Sequence, residues 1–250
     1  MELFGTTRSR VQRSHALIGP DSFVTSDLPG WDRSQVIILI SPRMGARFSQ
    51  YLALMEAGGC VGYAPRGVER VIYVVEGGVD LVHKGARVRS LGLGGFAYCP
   101  PDSNVEVRAT VTSSINVFEK RYVVRHGFSI PEPIFGDEGE VEGTAFMGDP
   151  DAILKVLLPR DPRFDLAVNV FTFQPGTSLP LVEVHVMEHG LLMLAGKGVY
   201  RLGDDWYPVR QGDVIWMAPY CPQWFVAMGK DPARYLYYKD VNRDPLEHEP

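Results

Sequence analysis

Cysteine is scarce in this 250-residue chain: Cys60, Cys99 and Cys221 are odd in number and far apart. That argues against a disulfide framework and makes a reducing cytoplasm the expected compartment. Long apolar runs are missing as well. The longest, such as Val36–Ile40, extend for five residues, whereas a membrane-crossing helix needs about 20, so no membrane partner is expected. The stretch from Met1 to His15 has no apolar segment of the kind a secretory leader carries. Nor is there an excess of basic charge: 25 Lys and Arg face 30 Asp and Glu, for a formal charge of −5. No dense Lys/Arg stripe occurs, so nucleic acid is not an expected partner either. With 22% charged and 45% apolar residues, the composition is that of a packed globular protein.

Turn formers, by contrast, are plentiful. The 26 glycines and 19 prolines are spread along the whole chain and separate short runs rich in Val, Ile, Tyr and Phe. Examples are 35–41, 71–75, 96–99, 104–111, 115–118, 167–173, 198–202, 214–217 and 235–238. Strands at this spacing predict an all-β sandwich or barrel. One short helix is expected at Asp151–Leu158, after the turn at Asp149-Pro150. The Pro-, Gly- and acid-rich stretch 126–150 reads as a linker. A weak internal repeat flanks it. Glu69 aligns with Glu188 and Gly77 with Gly196, each 119 positions apart, and Phe118-Glu-Lys120 aligns with Tyr237-Tyr-Lys239 at the same offset. The expected organisation is therefore a first β-barrel over 1–125, a linker over 126–150 and a second barrel over 151–250.

The densest chemistry lies in Glu183-Val-His185-Val-Met-Glu-His189, with Gly196 following. Glu183 and His185 are two apart and would share a face on a strand. On a straight strand His185 and His189 would be about 13 Å apart, too far for two ligands that each sit about 2.1 Å from one metal. Either the chain turns between them or they do not share an ion. Tyr235, Tyr237 and Lys239 alternate on one strand, so Tyr235 and Lys239 share a face. His15, His83, His126 and His248 have no partners at ligand spacing and are expected at the surface. Cys221 is expected to be a buried thiol. No G-x-S-x-G occurs, and no helix follows Gly92–Gly95 to support a phosphate loop.

The spacing E-x-H-x3-H-x6-G resembles the first cupin motif, with Glu183 in the place of the first His and His189 in the place of the Glu. The frame from Gly212 to Pro219, followed by Gln223, resembles the second. The permuted set in the second half of a tandem cupin is similar to the (S)-ureidoglycine aminohydrolase family of purine-ring catabolism. The most specific pieces are EVHVMEHG, GKGVY, GDVIWMAPYCPQW and YLYYKDVNRD, and the resemblance runs from about residue 41 to about residue 244. It implies an all-β bicupin that acts as a homo-oligomer on a small-molecule substrate in allantoin degradation. Mn²⁺ would be held by Glu183, His185, His189 and Gln223. Tyr200, Tyr235 and Lys239 would contact substrate together with Glu183 and Gln223, and Lys239 and Glu183 would serve catalysis. A mixed O/N set of this kind suits Mn²⁺, Fe²⁺ or Ni²⁺, and also accommodates Zn²⁺.

The repeat places Ala64, Arg66, Arg70 and Asn104 where Glu183, His185, His189 and Gln223 stand in the second half. Arginine is not a metal ligand, so the first barrel is expected to hold no metal. Other metal cupins, namely oxalate-type oxidoreductases and dioxygenases, and a non-enzymatic binding or storage bicupin are the competing classes. A fold this widely shared does not decide among them.

Overall fold

A computed structural model of the protein describes residues 7–244 and Leu246. Its regular secondary structure is almost wholly strand. Among the described residues, helix is confined to three short 3-10 turns, Pro20–Ser22, Pro42–Met44 and Glu138–Glu140, and no helix is long and apolar enough to cross a membrane. The helix expected at Asp151–Leu158 is instead the strand Asp149–Val156. Buried Ala152 and Leu154 alternate there with more exposed neighbours, a period of two that a helix cannot present to one core. The stretch 126–150 is also more than a linker: Ile134–Asp137 pairs antiparallel with Gly95–Cys99, and Gly143–Phe146 forms a further strand.

The chain forms two compact units and passes between them several times rather than once. One unit comprises Thr25–Gly143, Lys155–Asn169 and the described residues from Asp240 on. The other comprises the described residues up to Val24, Thr144–Leu154 and Val170–Lys239.

The first unit is a sheet that includes Val68–Glu76, Ser113–Arg121 and Ser49–Val61. Its inward positions are aliphatic and fill the interior, with Ala53, Ile72, Leu81, Val107, Ile115 and Val117 all fully or almost fully buried. The opposite face of the same strands carries a buried polar network. Tyr98 Oη donates to Glu69 Oε2 (2.8 Å), and Lys120 Nζ sits 2.6 Å from Asp165 Oδ2, which also accepts the Val123 N–H (2.8 Å). Glu69 Oε1 and Asp165 Oδ1 are buried with no N–H or O–H directed at them. One proton shared between the two carboxyls satisfies both oxygens.

Burial first, then the hydrogen bond and charge of Asp165, push Glu69 well above the usual carboxylate range. Against the upward push of burial, Glu69 and the Lys120 ammonium hold Asp165 below its ordinary value. A neutral Glu69 therefore stabilises the fold fully below its unfolded value of about 4.5, and that contribution is lost as pH rises through its higher folded value. Glu69→Gln keeps a donor toward Asp165 and cannot ionise. Its melting temperature relative to the parent protein should climb steadily between pH 5 and pH 9. Thermal melts across that range check this, and a constant difference would mean that Glu69 is already ionised in the folded protein.

In the second unit, an extended sheet orders the strands Arg10–Val11, His15–Ile18, Val214–Met217, His189–Ala195 and Ala233–Asp240 side by side. A three-stranded sheet of Asp205–Arg210, Lys197–Leu202 and Gln223–Met228 accompanies it. Gly196 joins the two sheets at φ +73°, and a Cβ there would meet Pro232 O at 2.5 Å, so the turn requires glycine. The N-terminal segment is fastened by its strand pairing and by Arg8, whose guanidinium grips fully buried Asp213 at 2.6 and 3.0 Å.

The repeat survives as hydrogen bonding. Tyr98 donates to Glu69 in the first unit, and in the second Trp216 Nε1 donates to the equivalent Glu188 at 2.7 Å.

Candidate functional site

The strand His189–Ala195 begins the site. His189 lies in register with Met217 on one side and with Lys239 on the other. Directly opposed residues in an antiparallel pair present their side chains to one face, so Lys239 stands beside His189. Tyr237 and Tyr235 follow on the same face, opposite Leu191 and Met193. From the second sheet, Gln223 bridges to Glu183, each backbone N–H donating to the other's carbonyl at 2.8 and 3.0 Å. These opposed residues likewise share a face.

Between Glu183 and His189 the chain bends at Val186, and the straight-strand separation never arises. His185 Nε2 and His189 Nε2 are 3.2 Å apart. The Gln223 side-chain amide lies 3.0 Å from His185 Nε2. Each imidazole has its Nδ1 at 3.2 Å from a backbone carbonyl, His185 at Met187 O and His189 at Tyr238 O. A carbonyl only accepts, so both Nδ1 atoms carry the proton and both Nε2 atoms direct lone pairs at the same small volume. Two lone pairs 3.2 Å apart repel unless a cation or proton lies between them. Two cis ligands of one octahedral ion at about 2.1 Å would be about 3.0 Å apart. Rotating the Gln223 amide by half a turn brings its oxygen to the same place. The donor set therefore fits a divalent ion.

Electrostatics agree with that fit. Burial first, then the neighbouring His185 and Lys239, lower His189 to about 3. The ring is neutral and free to act as a ligand at any ordinary pH. Burial raises Glu183, while the neighbouring His185 and Lys239 pull it down. It does not close on the imidazole pair, and among the described residues no three His, Cys, Asp or Glu side chains converge tightly enough to hold an ion by themselves. A carboxylate and two neutral lone pairs have nothing to draw them together until a cation supplies it.

Tyr200 and Tyr235 are buried and hydrogen-bonded to each other, and burial together with the Glu183 charge raises both hydroxyls. Phe171, Phe173 and Phe225 surround them, with ring centroids 5.2–5.7 Å apart. Tyr237 packs edge-on to the His189 ring at 5.7 Å and stacks on Phe171.

Sequence reasoning missed two features. Tyr237 belongs to the site wall, a placement its alternation with Tyr235 and Lys239 could have suggested. His15, expected at the surface, is 3% exposed, because its strand pairs with one made about 200 residues later, and no local pattern reports such a partner. His126 is exposed and His83 half-buried. His248 lies outside the described residues. Cys221 is buried.

At the equivalent place in the first unit, Arg70 is buried. Its guanidinium donates to Glu119 at 2.8 Å and to Gly62 O at 2.7 Å. Arg66 and Asn104 are exposed. A paired cation thus stands where His189 stands in the second unit.

The family model for the Cupin domain matches residues 169–238. The chain is 43% identical to (S)-ureidoglycine aminohydrolase of Arabidopsis thaliana, over 98% of this chain and 82% of that protein. It is 36% identical to the Escherichia coli enzyme of the same name, over 92% and 89% respectively. A crystal structure of the E. coli protein Ylba superposes with a TM-score of 0.85 at 33% identity, covering 95% of this chain and 96% of that one.

Proposed function

The chain belongs to the (S)-ureidoglycine aminohydrolase family, and on that premise we propose that it converts (S)-ureidoglycine and water into (S)-ureidoglycolate and ammonia. In this reaction a C–N bond breaks, a C–O bond forms, one water proton goes to the departing nitrogen and the hydroxyl stays on carbon. The observation that carries the reading is the convergence of His185 Nε2, His189 Nε2 and the Gln223 amide beside Lys239, in a chain 43% identical to an enzyme of that name.

In our reading Glu183, His185, His189 and Gln223 hold one divalent ion, Mn²⁺ by preference, with Fe²⁺, Ni²⁺ or Zn²⁺ compatible with the same donors. Bound there, the ion supplies Lewis acidity and fixes which arms of the substrate lie where. The chain's own groups do the rest. Lys239 sets an ammonium beside the site to offset the substrate carboxylate or to give a proton to the leaving nitrogen. The paired hydroxyls of Tyr200 and Tyr235 donate hydrogen bonds from a wall that excludes water, and Glu183 accepts from the substrate's N–H groups. We further propose a cytoplasmic homo-oligomer in which the first barrel binds no metal.

Ureidoglycine is unstable, so the test generates it in place from allantoate with an amidohydrolase. Adding this protein should accelerate the second release of ammonia and leave one ureidoglycolate enantiomer in excess by chiral chromatography. A racemic product formed at the spontaneous rate would overturn the assignment.

A further inference from the structure

We propose that His15 is a positioning residue for the ligand cluster of the second unit, acting through the loop 218–222. The inference rests on the metal-site reading above but has a readout that does not require metal.

His15 is almost fully buried on the N-terminal strand, in register with Met217, which is itself in register with His189. Its Nε2 lies 2.9 Å from Tyr207 Oη and its Nδ1 lies 3.2 Å from Ser14 Oγ. The ring also faces the turn at Gly203, where an added Cβ would meet it at 3.8 Å. The two neighbours of this ring hold the two ends of one short loop. At its start, the Ala218 N–H donates to Ser14 O at 2.9 Å. At its end, Pro222 O accepts the Gly203 N–H at 2.8 Å.

The next residue is Gln223, whose N–H donates to Glu183 O. In the middle of the loop, Tyr220 holds φ +62°, a conformation that side chains other than glycine rarely adopt, and its N–H donates to His185 O at 2.8 Å. The loop therefore fixes the backbone of two ligand residues, and the elements pinning it meet at His15. An imidazole bonded at both nitrogens is a stiff spacer between the Ser14 strand and the Tyr207 hairpin. Removing it frees both ends of the loop together. Local strain of the Tyr220 kind persists only where the surroundings enforce it.

The experiment compares His15→Ala, His15→Gln and Tyr207→Phe with the parent protein. Amide hydrogen exchange over 218–223 is measured on metal-free protein, and Mn²⁺ affinity and steady-state kinetics on the loaded enzyme. In His15→Ala, exchange of the Ala218, Tyr220, Cys221 and Gln223 amides should rise about tenfold or more, while the strand Leu166–Phe173 stays protected. Mn²⁺ should bind about tenfold more weakly, the scale of an outer-shell loss, and kcat should fall with KM within twofold. His15→Gln, which still reaches Tyr207, should recover most of both losses, and Tyr207→Phe should show a smaller version of each. If His15→Ala does not fold, the comparison of Tyr207→Phe with His15→Gln decides. Loop exchange within twofold of the parent in the folded variants overturns the proposal. So does faster exchange with unchanged Mn²⁺ affinity and kcat, because the ligands would then not be positioned through the loop. A parent protein that binds no Mn²⁺ defeats the metal reading instead, and the exchange comparison still judges His15.

Discussion

Replacing His189 or His185 with alanine should abolish metal retention and, with it, nearly all turnover. Loss of an outer-shell partner costs about 10–100-fold in metal affinity or activity, and removal of a ligand should exceed that range. The two Nε2 atoms, 3.2 Å apart with both Nδ1 protons engaged elsewhere, leave no second nitrogen able to replace either one. Elemental analysis of the purified parent should find about one divalent ion per chain, because Arg70 occupies the corresponding place in the first unit. Both variants should retain a β-type circular dichroism spectrum, since the apolar cores do not depend on these rings. Unchanged metal content in both would put the ion elsewhere, and two tightly held ions per chain would contradict the role given to Arg70.

The second large effect is expected at Lys239. It faces His189 across one strand pair and acts electrostatically on both His189 and Glu183. Lys239→Met keeps the stem and removes the charge. It should retain fold and metal but lose about 10²-fold or more in kcat/KM, the usual scale for one acid–base or electrostatic group. A rise in KM alone would assign Lys239 to substrate anchoring, and an equal fall in kcat and kcat/KM to the transition state. Near-normal turnover with metal bound would remove Lys239 from the machinery.

The parts of this protein that are legible in its sequence are those whose cause is local. Strand content follows from short β-branched and aromatic runs between turns, and the shared face of Tyr235 and Lys239 follows from a period of two. The Glu183/His185/His189 cluster is visible as spacing. Whether its histidines meet is not, because that depends on a bend at Val186 that no glycine or proline marks. Asp149–Val156 misleads for a related reason: Ala-Ile-Leu-Lys is a good helical string, and only its pairing with the flanking strands Gly143–Phe146 and Leu166–Phe173 makes it extended. The same limit applies to His15, whose burial depends on Val214–Met217.

That last pairing bears on how the molecule is made. The ribosome releases the strand His15–Ile18 long before its neighbour Val214–Met217. Until then the early strand has only the two-residue strand Arg10–Val11 to pair with, while most of the first unit can already condense. The nascent chain must keep a short, half-apolar edge from pairing elsewhere, and Arg10 and Arg13 beside it are the sort of charges that discourage stray pairing. The second unit is thus completed by a strand that precedes the first unit in sequence. A break between residues 125 and 150 would separate the second barrel from its own edge strand, so the two halves of the duplicated sequence are not two detachable pieces.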